Sequence, residues 1–165
     1  MQEHISRQGR ALQALLLERR VAALATLNDN GAPSASMVPF AIDAERGRLV
    51  LHVSALAAHT GHMARDARVG LLVCAADRPD APVHDLARLS LEGRAETPAP
   101  DSPEWRAARS VYLARFPDAE PMTDLPDFRF VTVTPHSARQ ISGFGSARAV
   151  DADELHQLLR SLPRA

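Results

Sequence analysis

Three histidines, His52, His59 and His62, fall close together in this chain, and the last two are spaced to share one face of a helix. Three imidazoles are enough to bind zinc or iron. No acidic pair accompanies them at ligand spacing, so solvated or hydrogen-bonded histidines are the preferred reading and no metal site is assigned. A stronger grouping is Ser54-Ala-Leu-Ala-Ala-His59-Thr60, where a strand ending in serine runs into the first turn of a helix. Hydroxyls, an imidazole and free backbone N–H groups at a helix start suit a phosphate. Arg88, at the start of another strand, offers a bidentate contact to the same kind of group. The plain alternative is a helix cap, for which serine and threonine are the usual residues.

What the chain lacks narrows the chemistry further. All 19 cationic side chains are arginine, so neither a lysine Schiff base nor a P-loop lysine is available. A net charge of -1 excludes a broad nucleic-acid-binding face. The single Cys74, within Val69-Gly-Leu-Leu-Val-Cys-Ala, can form no internal disulfide and reads as an inert core thiol. Gly143-Phe-Gly-Ser146 lacks the nucleophile-elbow spacing, and Gly143-x-Gly145 has no third glycine for a dinucleotide loop. A strand-end glycine pair that permits a bend is the preferred reading there. No apolar run approaches the length of a membrane span, and Leu15-Leu16-Leu17 is too short for a signal peptide. No membrane is therefore implied, and a cytoplasmic location is expected.

These residues need elements to position them. Ile5, Leu12, Leu15 and Leu16 are spaced as the apolar stripe of a helix over about 5–20. Val21–Leu27, Ser34–Ile42 and Leu49–Ser54, separated by turn residues, predict an antiparallel meander. Leu56–Ala64 reads as a short helix and Val69–Ala75 as a strand. Arg88–Ala95 and Phe128–Thr134 alternate apolar and polar as half-buried strands do. Ala138–Phe144 is read as a further strand. Ser102 and Pro103 mark a helix start, and Asp151 with Glu154 marks another that runs to about 162. The expectation is one domain over 1–165 and an α+β fold: an antiparallel β-barrel of six to seven strands with short flanking helices.

The succession of segments resembles the pyridoxamine 5′-phosphate oxidase-like family of FMN-binding split β-barrels, in particular its haem-utilisation-related branch. The matching stretches are Ala23-Leu-Ala-Thr-Leu27 with Gly31-x-Pro33, Ser36-Met-Val-Pro-Phe-Ala41, Leu49-Val-Leu-His-Val-Ser54 and Leu56-Ala-Ala-His-Thr60. Ala87-Arg-Leu-Ser-Leu-Glu-Gly93, Tyr112-Leu-Ala-Arg-Phe-Pro117, Asp127-Phe128 and Gly143-Phe-Gly145 follow in order. The resemblance implies a homodimer with FMN bound at the subunit interface, acting as an oxidoreductase on a small molecule. It also implies that Ser36, Met37, Val38 and Pro39 line the flavin and that Val53 and Ser54 lie near ribityl or phosphate oxygens. His59 and Thr60 would meet the phosphate, with Arg88 and Ser90 approaching from a neighbouring strand and Gly143–Gly145 closing the site from the other subunit.

Two departures bear on that carry-over. Relatives commonly place Arg or Lys where Gly61 stands and Asn where His62 stands, so part of the usual phosphate grip is missing. With no lysine to substitute, Arg88 becomes the expected permanent charge at the phosphate. His59 becomes the pH-dependent one, predicting FMN binding that weakens from pH 6 to pH 8. The haem-utilisation branch implies a histidine near the C-terminus as axial ligand, a position that His156 does not obviously match. Haem binding or breakdown is accordingly the second reading, and a non-enzymatic ligand-binding dimer the third.

Overall fold

A computed structural model describes residues 5–163. Its centre is a strongly curled antiparallel sheet of eight strands: β1 (Val21–Leu27), β2 (Pro33–Pro39), β3 (Ala41–Asp43), β4 (Arg48–Ser54), β5 (Arg68–Cys74), β6 (Arg88–Glu96), β7 (Phe128–Ile141) and β8 (Ala147–Asp151). The strand order is β2-β1-β5-β6-β7-β4-β3, and β8 pairs with β7. The helices are α1 (Arg7–Glu18), α2 (Ala58–Arg65), α3 (Pro103–Arg115), the single turn α4 (Glu120–Thr123) and α5 (Ala152–Arg160). No described helix is long and apolar enough to cross a membrane. The arrangement is the expected α+β split barrel.

Period-two burial along β1 puts Ala22, Leu24 and Thr26 inside and Val21, Ala23 and Ala25 outside. The inner residues join Leu49, Leu51, Val53, Leu71, Val73, Leu89, Leu91, Val131 and Val133 in one core. Leu12, Leu15 and Leu16 of α1 and Leu155, Leu158 and Leu159 of α5 close it from outside the sheet. A second, smaller cluster lies on the opposite face of β4, where Val50, Ala41 and Phe130 meet Ala108, Tyr112 and Phe116 of α3 and its exit. The outer face of the barrel wall is thus covered by α3, which Ser102 caps by accepting the Trp105 N–H at 3.1 Å. From the last turn of that helix, Arg115 donates to the Leu16, Leu17 and Arg19 carbonyls and so caps α1.

The expected three-strand meander is interrupted. The returning strand divides at Phe40, whose N–H turns away to the Arg20 carbonyl at 3.1 Å, so β2 stays beside β1 while β3 joins β4 across the barrel. Pro39 has no N–H to continue the ladder, which is the local reason for the break. The strands expected at Phe128–Thr134 and Ala138–Phe144 are instead one long strand, β7. It runs through Pro135 because β7 itself bulges there, one extra residue, His136, falling between the partners of Glu92 and Gly93. Gly93 is required there: a Cβ would sit 2.8 Å from the Thr134 carbonyl oxygen. β8 was not anticipated by the pattern, because Ala147-Arg-Ala-Val-Asp151 offers only Val150 as a buried apolar side chain. The last helix begins as expected, with Asp151 Oδ1 accepting the Glu154 N–H at 2.9 Å. Glu154 does not complete the capping box, and its carboxylate pairs with Arg148 at 2.7 Å.

Candidate functional site

β4 ends at Ser54, and the chain turns there into α2. Ser54 Oγ accepts the Leu56 N–H at 3.1 Å and donates to Asp127 Oδ2 at 3.3 Å. Thr60 Oγ1 donates to the Ser54 carbonyl at 2.6 Å, tying the first turn of α2 to the strand. Both hydroxyls expected at a phosphate are therefore engaged in building the corner, and the Asp127 carboxylate stands beside one of them. α2 starts at Ala57 with no side-chain cap.

The two α2 histidines each reach back to a hydroxyl of the β1–β2 hairpin. Ser36 Oγ and His59 Nδ1 are 3.1 Å apart, and Thr26 Oγ1 and His62 Nδ1 are 2.9 Å apart. In each pair the ring is held through Nδ1, leaving Nε2 as the nitrogen that faces away from the hydroxyl. Burial, with a smaller contribution from neighbouring His62, holds the His59 pKa below its ordinary 6.5. This shifts the pH-dependent charge expected of His59 toward more acidic conditions.

The other expected residues divide by face. Alternation along β2 turns Val38 into the core and leaves Met37 outward at 65% exposure, while Pro39 is half-buried at the strand end. Val53 is a core residue behind the corner, shielded from any ligand on the outer surface. Arg88 and Ser90 lie on β6, and within one chain the ladder separates them from the corner. Ser54 pairs with Phe128 at one end of β7, and Arg88 pairs with Ile141 at the other. That interval is on the order of 40 Å along an extended strand. Arg88 Nη1 donates to the Leu86 carbonyl at 2.9 Å. Ser90 does share the outer sheet surface with Met37, through the cross-strand row Met37–Ala23–Leu72–Ser90. Gly143–Gly145 form the tip of the β7–β8 hairpin, with Phe144 exposed. Cys74, expected in the core, is half-buried at the end of β5.

Sequence reasoning left out the cleft beside this corner. Asn28, Asp29 and Asn30 of the β1–β2 turn face Ala55–Ala58, Gly61, His62 and Arg65 across an open space of about 480 Å³. The turn is built by Asn28, whose Oδ1 accepts the N–H groups of Asn30 and Ala32, and by Gly31 at φ 75°. The turn residues between the first two expected strands predict this turn without indicating what it faces.

Residues 9–142 match the family described as pyridoxamine 5′-phosphate oxidase, and the chain belongs to that family. Among curated proteins it is 38% identical over 117 residues to one named non-canonical heme oxygenase HOZ, chloroplastic, from Arabidopsis thaliana. That match covers 71% of this chain and 34% of the plant protein, so the chain spans about a third of that relative. It is 26% identical over 139 residues to the heme oxygenase HutZ of Vibrio cholerae, covering 84% of this chain and 78% of HutZ. A solved structure titled as a heme binding protein from Mycobacterium smegmatis superposes with a TM-score of 0.80 at 28% identity. That superposition covers 92% of this chain and 60% of the mycobacterial one.

Proposed function

We propose that this chain is a haem-binding protein of the haem-utilisation branch, serving in haem breakdown, rather than an FMN oxidoreductase. The observation that carries this reading is the Ser36–His59 pair. The ring is held at Nδ1 with Nε2 turned away from the hydroxyl, burial disfavours its cationic form, and donation from Nδ1–H to Ser36 Oγ would give Nε2 the lone pair that binds iron. By comparison, His62 is almost fully buried, and His156 Nε2 lies 3.2 Å from the Pro135 carbonyl. The named relatives support the same choice. The corner itself suits a flavin phosphate less well, because its hydroxyls are already bonded, burial disfavours the His59 cation and Asp127 adds negative charge.

Haem bound here would supply the redox chemistry, its reactivity tuned by the ligand and the surrounding pocket. The chain's own part is to orient His59 through Ser36 and to exclude water with the apolar barrel wall behind the corner. A homodimer fits this reading. The outward surface of β1, β2 and β5 exposes Val21, Met37 and Leu72, an apolar patch suited to a second copy. Such a copy could bring Arg88, Ser90 and Phe144 to the corner that they cannot reach within their own chain.

Titrating the purified protein with haemin tests the proposal. The expected result is a saturable Soret band that shifts and loses affinity in His59→Ala but not in His156→Ala. No haem binding at micromolar protein, together with FMN uptake, would return the flavin oxidoreductase as the better reading.

A further inference from the structure

The chain has one tryptophan and one tyrosine, and both are on α3: Trp105 in its first turn and Tyr112 two turns further on. Seven residues apart, they share one face of the helix at a separation of about 10 Å along its axis. Phe130 of β7 lies between them, its ring edge-on to Trp105 at 5.5 Å and 6.0 Å from Tyr112. His52 joins these rings at 5.4 Å from Tyr112, and Phe128 follows at 4.9 Å from His52. Phe128 is the cross-strand partner of Ser54, so the run of rings begins at the corner. It ends at the half-buried Trp105, which is open to solvent along one edge. Packing alone does not account for the phenol within this run. Tyr112 is 3% exposed and no hydrogen bond to its hydroxyl is found among the described residues, so phenylalanine would fill the position without desolvating a polar group. The burial that pushes its pKa up to about 12 opposes the phenolate. It does not oppose the phenoxyl radical, because phenol and phenoxyl are both uncharged. The surrounding rings also keep a second phenol away, and coupling of two phenoxyl radicals is their usual route of loss.

We propose that Tyr112 is a redox site that holds a one-electron oxidising equivalent as a neutral phenoxyl radical, with Trp105 as its connection to the surface. The oxidant is a diffusible one-electron oxidant that meets Trp105, or an oxidising equivalent raised at the corner. Oxidation of Trp105 removes one electron from the indole and releases its N–H proton to water. The indolyl radical then takes one electron from the Tyr112 phenol and regains a proton at its nitrogen from water. The phenol gives up that electron and its own proton, so indole and phenoxyl remain and the charges balance. Phe130, Phe128 and His52 are not oxidised in this step. They fill the space between the stations with ring contacts and exclude water from it. The connection to the corner rests on the haem reading above, while the Trp105–Tyr112 couple does not.

Azidyl radicals made by pulse radiolysis test the couple in the parent chain with no cofactor present, since they take an electron from indole in preference to phenol and become azide. The indolyl absorption should decay as the phenoxyl absorption grows, with one shared rate constant that is the same at every protein concentration. Tyr112→Phe should abolish the phenoxyl band and leave the indolyl radical to disappear by bimolecular loss. Trp105→Phe should lose most of the phenoxyl yield, because the buried phenol then has no entry from the surface. Both substitutions keep an aromatic ring in place, and unchanged thermal unfolding verifies the fold. No phenoxyl in the parent, or a shared rate that rises with protein concentration, overturns the couple. Full phenoxyl yield in Trp105→Phe overturns Trp105 as the connection. Peroxide added to the haemin-loaded protein then probes the corner by electron paramagnetic resonance. A phenoxyl signal is expected in the parent and none in Tyr112→Phe, and equal spectra from the two overturn the link to the corner. If haemin does not bind, the haem reading fails, while the radiolysis result still decides whether Tyr112 is a redox site.

Discussion

His52 and the α2 histidines stand close in sequence and live by opposite rules. His52 lies on the α3 side of β4, with its ring 4.5 Å from Phe130, 4.9 Å from Phe128 and 5.4 Å from Tyr112 between centroids. No hydrogen bond to it is found among the described residues, and burial pushes its pKa down to about 4. The same burial pushes the Tyr112 hydroxyl up to about 12. His59 and His62, in contrast, each have a hydroxyl partner that fixes the ring and leaves the second nitrogen outward. A histidine enclosed by rings becomes an aromatic packing piece. A histidine enclosed on one edge by a hydroxyl becomes an oriented base or ligand.

The largest way to break this contrast is acid. Because His52 titrates at about 4 in the folded chain and near 6.5 when unfolded, the unfolded state takes up the proton first as pH falls. Stability from this group is complete above pH 6.5 and is lost as pH falls toward 4, by roughly 3 kcal/mol at 1.36 kcal/mol per pH unit. His59, also lowered, acts in the same direction. Urea unfolding at pH 7 and pH 4 should show this loss in the parent chain, and His52→Phe should remove most of it. An unchanged acid limb in His52→Phe would mean that the ring cluster does not exclude the proton.

The same contrast explains what could be read in the sequence. The apolar run Val21–Leu27, the alternation in Arg88–Ala95, and the Ser102 and Asp151 caps are local signals, and those elements stand close to where they were expected. The break at Phe40 and the continuity of β7 through Pro135 depend on partners distant in sequence: Arg20 for one, and Gly93 of β6, opposite the bulge in β7, for the other. His59 and Ser54 were legible as a group because one strand–helix junction carries both. Their partners Ser36 and Asp127 come from other strands and loops, so hydrogen bonding could not be assigned from spacing. Arg88 was grouped with the corner by its charge and by resemblance, neither of which carries register, and the ladder separates them within one chain.

A smaller effect is expected at the buried hydroxyl–imidazole pair. Thr26 is 3% exposed and His62 8% exposed, so Thr26→Val keeps the shape of the core residue but strands His62 Nδ1 without a partner. Leaving one buried polar atom unmatched costs about 1–3 kcal/mol. Thermal or urea unfolding of Thr26→Val measures this. A neutral substitution would place the His62 ring in contact with solvent, and the contrast with His52 would then be one of degree.

The smallest effect sharpens the comparison most. Ser36 and His59 are only half-buried, so water can replace the lost hydroxyl in Ser36→Ala, and the stability cost should stay near 0.5–1 kcal/mol. Orientation should change more than stability. With Ser36 gone, nothing among the bonded partners holds Nδ1, and the imidazole is free to exchange tautomers. Nitrogen chemical shifts of His59 should therefore move toward an even mixture of Nδ1–H and Nε2–H forms, while those of His62, still held by Thr26, stay unchanged. Haemin affinity should fall in Ser36→Ala by less than in His59→Ala, because the ligand atom remains and only its aim is lost. Identical His59 shifts in parent and variant would show that the helix, and not the hydroxyl, orients the ring.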